Sequence, residues 1–236
     1  MIIVDGGSTD KTVAVAGLFG QERPEFPIRI LRESGNIAHG RNFGIAASKY
    51  SIVAVTDAGC IVDKHWLERL IAPFDNTKTD VVAGYYSPIG KSFKKKCVGV
   101  YMSVMPDALD PENFLPSSRS IAFKKSAWKK VGGYSEDLDT AEDLVFASTM
   151  KKAKISFVTV EDALVYWEQQ STWKGVFKQF YRYAQGDGKA LYFRPQTPLL
   201  ILRVLMAIYL MWYAIAVPDV GLNILGLYAL LYGAFS

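Results

Sequence analysis

Apolar positions follow two rhythms along the first 194 residues. Short apolar runs occur at Ile2-Ile3-Val4, Ile52–Val55 and Val81–Tyr85, with Ile28–Leu31 broken only by Arg29, each bounded by charged or turn-forming residues. Runs of this length, closed by Gly, Asp and Asn, read as buried strands. Between them, Lys11–Phe19, Arg41–Lys49 and His65–Phe74 carry apolar residues on one side at helical spacing. Ser8 is placed to cap the first of these helices. Strands alternating with helices predict an α/β fold with a mostly parallel sheet flanked by helices. The middle is less regular. Ser92–Val104 reads as a helix, Pro106–Pro116 as a loop, Ser120–Phe123 as a strand and Lys125–Val131 as a short helix closed by Gly132-Gly133. Glu142–Ala153 reads as a helix, Ile155–Val160 and Ala163–Trp167 as two strands, and Thr172–Phe193 as a long amphipathic helix rich in aromatics.

The pattern then changes. Leu199–Val217 is uncharged except for Arg203, and Gly221–Phe235 is uncharged throughout. Pro195 and Pro198 interrupt the helical pattern between. We therefore expect a folded domain over 1–194 and a transmembrane region over 195–236, with spans near 199–217 and 222–236. The first span is about 19 residues, close to the roughly 20 that cross a bilayer core. Lys178, Arg182, Lys189, Arg194 and Arg203 lie before or at its start, and Asp219 follows it. The positive-inside rule then puts the folded domain in the cytosol, at the face of a cell membrane that the chain enters as a hairpin or multi-pass protein.

Composition narrows the reading. Of 236 residues, half are hydrophobic and 13% aromatic, ample for a core. A net charge of +4 is too mild and dispersed to argue for nucleic acid. Cys60 and Cys97 have no metal-type spacing and read as free thiols. The two histidines, His39 and His65, are too few for a histidine-built metal site, and His39 reads as structural or exposed.

The candidate chemistry sits at strand ends and helix starts. Asp5 and Asp57 each follow a buried apolar run and precede a Gly-containing turn. Ligands of open α/β sheets sit in the crevice beyond the strand carboxyl ends, although an Asp before Gly is also ordinary turn chemistry. Arg41 follows a glycine-bearing loop, and its fork of donors suits a base carbonyl or a diphosphate. Glu142 and Asp143 open a helix, where the dipole favours acids whatever their function. Gln179 and Arg182, one turn apart, share a helix face beside Tyr183.

Five stretches in order resemble one family, the family 2 glycosyltransferases with the GT-A fold. They are Val4–Thr12 (VDGGSTDKT), Gly35–Ala46 (GNIAHGRNFGIA), Thr56–Cys60 (TDAGC), Val131–Tyr134 with Ala141–Phe146 (VGGY and AEDLVF), and Lys178–Gly188 (KQFYRYAQGDG). The resemblance implies inverting transfer of a sugar from a nucleoside-diphosphate-sugar donor to a lipid-linked or polysaccharide acceptor. It places Asp5, Gly7, Asn36, Arg41 and Asp57 at the donor. It makes Asp143 the catalytic base with Glu142 in support. Gln179, Arg182 and Tyr183 resemble the Gln-x-x-Arg-Trp element, with Tyr for Trp, and fall at the acceptor and diphosphate.

The chain departs from the family pattern in three places. Asp57 matches the first acid of the Asp-x-Asp motif, but Gly59 stands where the second acid, the usual metal ligand, would be. The Tyr166-Trp167 segment lacks the histidine many relatives carry. A Mg²⁺ or Mn²⁺ site at Asp57 is therefore expected to be weak or water-rich. The family's usual first strand is also missing ahead of Ile2, as though the chain were a fragment at both ends. A non-catalytic membrane-bound module of the same fold is the alternative reading.

Overall fold

The computed structural model describes residues 1–194, 197–217, 223–224 and 226–230. The chain forms two units, Met1–Leu191 and the segment from Tyr192 onward. In the first, the predicted alternation of strands and helices is present: β1 (Ile2–Asp5), α1 (Thr12–Glu22), β2 (Arg29–Arg32), α2 (Ile37–Ala47), β3 (Ile52–Val55), β4 (Cys60–Val62), α3 (Trp66–Ile71) and β5 (Val81–Ile89). There follow α4 (Phe93–Met102), β6 (Ile121–Lys124), α5 (Lys125–Lys130), α6 (Glu142–Lys152), β7 (Phe157–Glu168) and α7 (Trp173–Lys189). The second unit contains α8, Thr197–Ala216. Most of the expected second span, 222–236, lies outside the described residues.

The sheet is mixed, which corrects the expectation of a mostly parallel one. Among the described residues β1 and β2 form a parallel pair, and the other strands form a five-stranded sheet ordered β3-β6-β5-β7-β4. Only β5 and β7 run parallel in that larger sheet. The reversal at β6 has a local cause. Gly99 of α4 packs on Pro88, Tyr85 donates a hydrogen bond to the Val104 carbonyl, and Phe114 packs on Tyr85. The connection therefore stays at the carboxyl end of β5, and the chain re-enters the sheet from that end. The two strands expected over 155–167 are one strand, β7, with a bulge. Gly84 pairs with Val160 and Tyr85 with Leu164, so three residues of β7 are passed over. Gly84 allows this: a Cβ there would fall 2.0 Å from the Ser120 Oγ and 2.8 Å from the Ala163 carbonyl.

The β3–β6 register positions the site. Val55 pairs with Ile121 in antiparallel sense. Two residues further, the strand end that carries Asp57 runs alongside the approach to β6 at Arg119. α2 and α6 pack beside these strands through one core. Phe146 stacks on Tyr134 at 4.0 Å and meets the edge of Phe123 at 5.4 Å, among Ala38, Ile45, Ile121 and Met150. α2 also covers β1, with Gly44 so close that a Cβ would fall 2.8 Å from Val4.

Polar clamps join α2 to the turn around Gly133. Asn36 is the N-cap of α2, accepting from the His39 N–H at 2.9 Å, so the helix starts a turn before Arg41 rather than at it. Ser8 does not cap α1; its N–H donates to Asp5. Asn42 accepts from the Trp128 Nε1 and the Tyr134 N–H, and donates to the Tyr134 carbonyl and to Glu136. His39 is structural: its ring nitrogens lie 3.1 Å from Glu33 and 2.8 Å from Glu136.

Replacing Asn42 with Ala leaves several of these groups unpaired at once. We expect a loss of about 2–4 kcal/mol of stability, read as a lowered thermal midpoint by near-UV circular dichroism. Hydrogen bonds from Glu136 and Glu33 raise the His39 pKa above its ordinary value of 6.5. The stabilisation is thus fully present below 6.5 and lost as pH rises through the higher folded value. The thermal midpoint of His39→Gln should fall less than that of the wild type as pH is raised through this window.

Candidate active site

Arg41 lies between two carboxylates that the chain brings from distant places. Its Nη2 donates to the Asp57 Oδ1 at 2.5 Å and its Nη1 to the Glu142 Oε1 at 2.5 Å. The side chains of Arg41, Asp57 and Glu142 are only 9%, 20% and 7% exposed. The guanidinium also sits 5.3 Å above the Tyr134 ring, whose hydroxyl bonds to Ser118. Burial opposes the charge on Arg41, but Asp57 and Glu142 outweigh it and raise its pKa. Burial, and then the neighbouring Asp143 charge, push the Glu142 carboxyl up, with Arg41 opposing.

Asp143 stands next to this triad. Its Oδ2 accepts from the Ser117 hydroxyl at 2.8 Å and the Ser118 N–H at 3.3 Å, and its Oδ1 from the Leu144 N–H at 2.8 Å. Ala141 precedes it as the N-cap of α6 in left-handed backbone, φ 65°. A non-glycine residue there stores strain, which such sites commonly carry.

A polar chain leads from Asp143 toward α7. Ser117 accepts from the Arg119 Nη1 at 2.9 Å. The Arg119 Nη2 donates to the Tyr183 hydroxyl at 3.3 Å, which also accepts from the Gln179 Nε2 at 3.1 Å. The Arg119 guanidinium stacks on Trp167, 3.9 Å from the ring centroid, with Tyr86 at 5.2 Å. The Gln179 Oε1 is buried with no partner among the described residues.

The other expected residues fall as follows. Asp5 is buried at the end of β1, and hydrogen bonds from Ser8 lower its pKa. Gly7 turns the chain at φ 105°. The Asn36 Nδ2 donates to the Glu136 and Leu138 carbonyls, so the side chain is engaged within the fold. Arg182 is exposed, with its backbone carbonyl accepting from Thr140. Gln179 and Tyr183 therefore join the cluster and the Arg182 side chain does not. Sequence reasoning missed Arg119 and Ser117, while Trp167 stood among the aromatics expected to line an acceptor groove. The available signal was an arginine among serines, Ser117-Ser118-Arg119-Ser120, directly before a buried strand.

The donor set around Asp57 does not fit a protein-held divalent cation. The Asp57 Oδ1 is taken by Arg41. Gly59 adopts φ 84°, where a side chain costs about 1–2 kcal/mol. Asp63 is used in its own turn, accepting from the His65 N–H at 3.0 Å and lying 3.4 Å from Arg69. Among the described residues no three His, Cys, Asp or Glu side chains could hold a metal together.

Removing Arg41 leaves Asp57 and Glu142 buried and uncompensated. Arg41→Met should therefore cost about 3–5 kcal/mol, measured as the shift in denaturant midpoint. Arg41→Lys should recover only part of it, because an ammonium lacks the fork that reaches both acids.

Comparisons with known proteins bear on the family and the fold. The model of the glycosyl transferase family 2 matches residues 1–129, more than half of the chain. The glycosyltransferase AglE of Haloferax volcanii is 23% identical over 167 residues, 70% of this chain and 55% of that protein. The chain thus spans little more than half of that relative's length. The structure of the mannosyltransferase PcManGT from Pyrobaculum calidifontis, solved with GDP-Man and Mn²⁺, superposes with a TM-score of 0.65 at 18% identity, over 98% of this chain and 71% of that one. S. aureus TarS 1-349 with UDP-GlcNAc gives 0.55 at 18% identity, over 72% of this chain and 50% of that one. At such identities the structural likeness is one of fold. With the family model covering most of the folded unit, the chain belongs to glycosyl transferase family 2.

Proposed function

We propose that this chain carries the catalytic unit of a membrane-anchored inverting glycosyltransferase. It transfers a sugar from a nucleoside-diphosphate sugar to a lipid-linked or polysaccharide acceptor. The observation that carries this reading is Asp143 fixed beside the Asp57–Arg41–Glu142 triad. One carboxylate has its orientation set by Ser117 and Ser118 while its neighbour Glu142 is tied to Arg41. That division suits a base that must accept one proton from a defined direction.

Asp143 takes the proton of the acceptor hydroxyl. The acceptor oxygen forms a bond to the anomeric carbon as the bond from that carbon to the β-phosphate oxygen breaks. The electron pair stays on the leaving nucleoside diphosphate, and the anomeric configuration inverts. Asp5, Gly7 and Asp57 lie on the donor side in this reading. Gln179 and Tyr183, joined by a hydrogen bond, lie on the acceptor side in this reading. The related structures solved with GDP-Man and with UDP-GlcNAc support a nucleotide-sugar donor.

The membrane assignment rests on α8. It has 20 residues and is apolar and long enough to cross a bilayer. Most of its large side chains are exposed in the structure, Leu202, Leu205, Trp212 and Ile215 among them, as a lipid-facing helix requires. The basic residues preceding α8 favour a cytosolic face for the catalytic unit.

The test is donor binding and transfer with a panel of nucleoside-diphosphate sugars, comparing wild type with Asp143→Asn. We expect one donor to be turned over and the variant to lose roughly 10²–10⁴-fold in kcat with donor affinity retained. Equal activity in both proteins would remove Asp143 from the reaction.

A further inference from the structure

The geometry points to Arg119 as the residue that binds and neutralises the leaving diphosphate, the task for which the metal-binding acid is missing at Gly59. This assignment rests on the glycosyltransferase reading and specifies how its donor site works.

Four observations on Arg119 converge. First, its guanidinium engages two hydroxyls and two aromatic faces, and no carboxylate pairs with it among the described residues. By contrast, the charge of Arg41 is spent on two acids at 2.5 Å. A largely buried cation with no directly paired carboxylate favours an anion that joins it. Burial opposes its charge, the nearby Asp57 and Asp143 favour it, and a guanidinium stays protonated in a protein.

Second, the β3–β6 register brings Arg119 beside the strand end that bears Asp57. Through Ser117 it is also one hydroxyl away from the base Asp143. It therefore stands between the donor-side acid and the base, where the bond to the β-phosphate breaks. Third, its position is rigid. Ser118 bonds to the Tyr134 hydroxyl, and Ser120 accepts from the Trp66 Nε1 at 2.9 Å and donates to the Ala163 carbonyl at 2.8 Å. Trp167 holds the guanidinium plane from one face. Fourth, the arginine expected for this task, Arg182, is exposed, while Arg119 occupies the place beside Tyr183.

The chemistry suits the task. A guanidinium carries five N–H donors, of which Ser117 and Tyr183 take two. The remainder can bind phosphate oxygens in bidentate fashion. As the bond from the anomeric carbon to the β-phosphate oxygen breaks, that oxygen gains the electron pair and its added negative charge meets the fixed cation. Such preorganised donors are most effective where charge develops during the reaction.

The experiment uses the full chain in detergent with Arg119→Gln and Arg119→Lys. Three quantities are measured: affinity for the nucleoside diphosphate, affinity for the matching nucleoside, and kcat with and without EDTA. We expect Arg119→Gln to weaken diphosphate binding by about 10–100-fold while nucleoside binding is unchanged. Its kcat should fall by roughly 10²–10³-fold. Arg119→Lys should retain an intermediate share of both, and wild-type turnover should persist in EDTA. Equal loss of nucleoside and diphosphate binding in Arg119→Gln would make Arg119 a structural residue and overturn the assignment. Unchanged diphosphate affinity in that variant, with wild-type turnover abolished by EDTA, would return the task to a cation. Absence of any nucleotide-sugar binding by the wild type would instead sink the glycosyltransferase reading itself.

Discussion

The active-site end of the molecule depends on one buried cation. Arg41 holds Asp57 and Glu142, residues at the end of β3 and the start of α6, to the middle of α2. Each carboxylate would be costly to bury alone, and each is compensated only while the guanidinium spans both. The triad therefore does more than join three segments. It fixes the carboxyl end of β3 against the amino end of α6, so that Asp143, next in sequence to Glu142, projects from a helix that cannot shift independently. The Tyr134 ring beneath the guanidinium extends the same constraint into the core through its stack on Phe146.

A second cation has the opposite character. Arg119 is held by hydroxyls and aromatic faces, groups that orient a guanidinium without discharging it. One arginine closes the fold and the other stays available to an anion. The contrast explains how the site can dispense with a second acid after Asp57. The left-handed backbone at Gly59 disfavours a side chain there, and in the proposed assignment a positive charge is already supplied by Arg119 in the turn before β6.

Much of the architecture was legible because it is encoded locally. Short apolar runs closed by turn residues gave the strands, and their ends gave Asp5 and Asp57. The Gly132-Gly133-Tyr134 turn followed by Glu142-Asp143 marked the start of α6 and its paired acids, and the change to uncharged sequence after Pro198 marked α8. Less legible were features in which a residue could serve fold or function equally well. Asn36 was assigned to the nucleotide, yet its side chain caps α2 and ties down the 136–138 loop. Asn42 carries four bonds that hold the Gly133 turn, and nothing in its neighbours announced them.

The sequence by itself determined the kinds of element, their order, the acids at their ends and the family those motifs share. Periodicity and turn chemistry act over a few residues and need no partner. Strand direction and charge pairing were decided only by tertiary structure. β6 reverses because α4 and its loop remain at one end of β5, and this reversal sets the register that brings Arg119 toward Asp57. Arg41 meets Asp57 across 16 residues of chain and Glu142 across 101. A bond between segments so far apart exists only once packing has placed both ends, so no local pattern could have recorded which arginine would be paired and which left free of carboxylates.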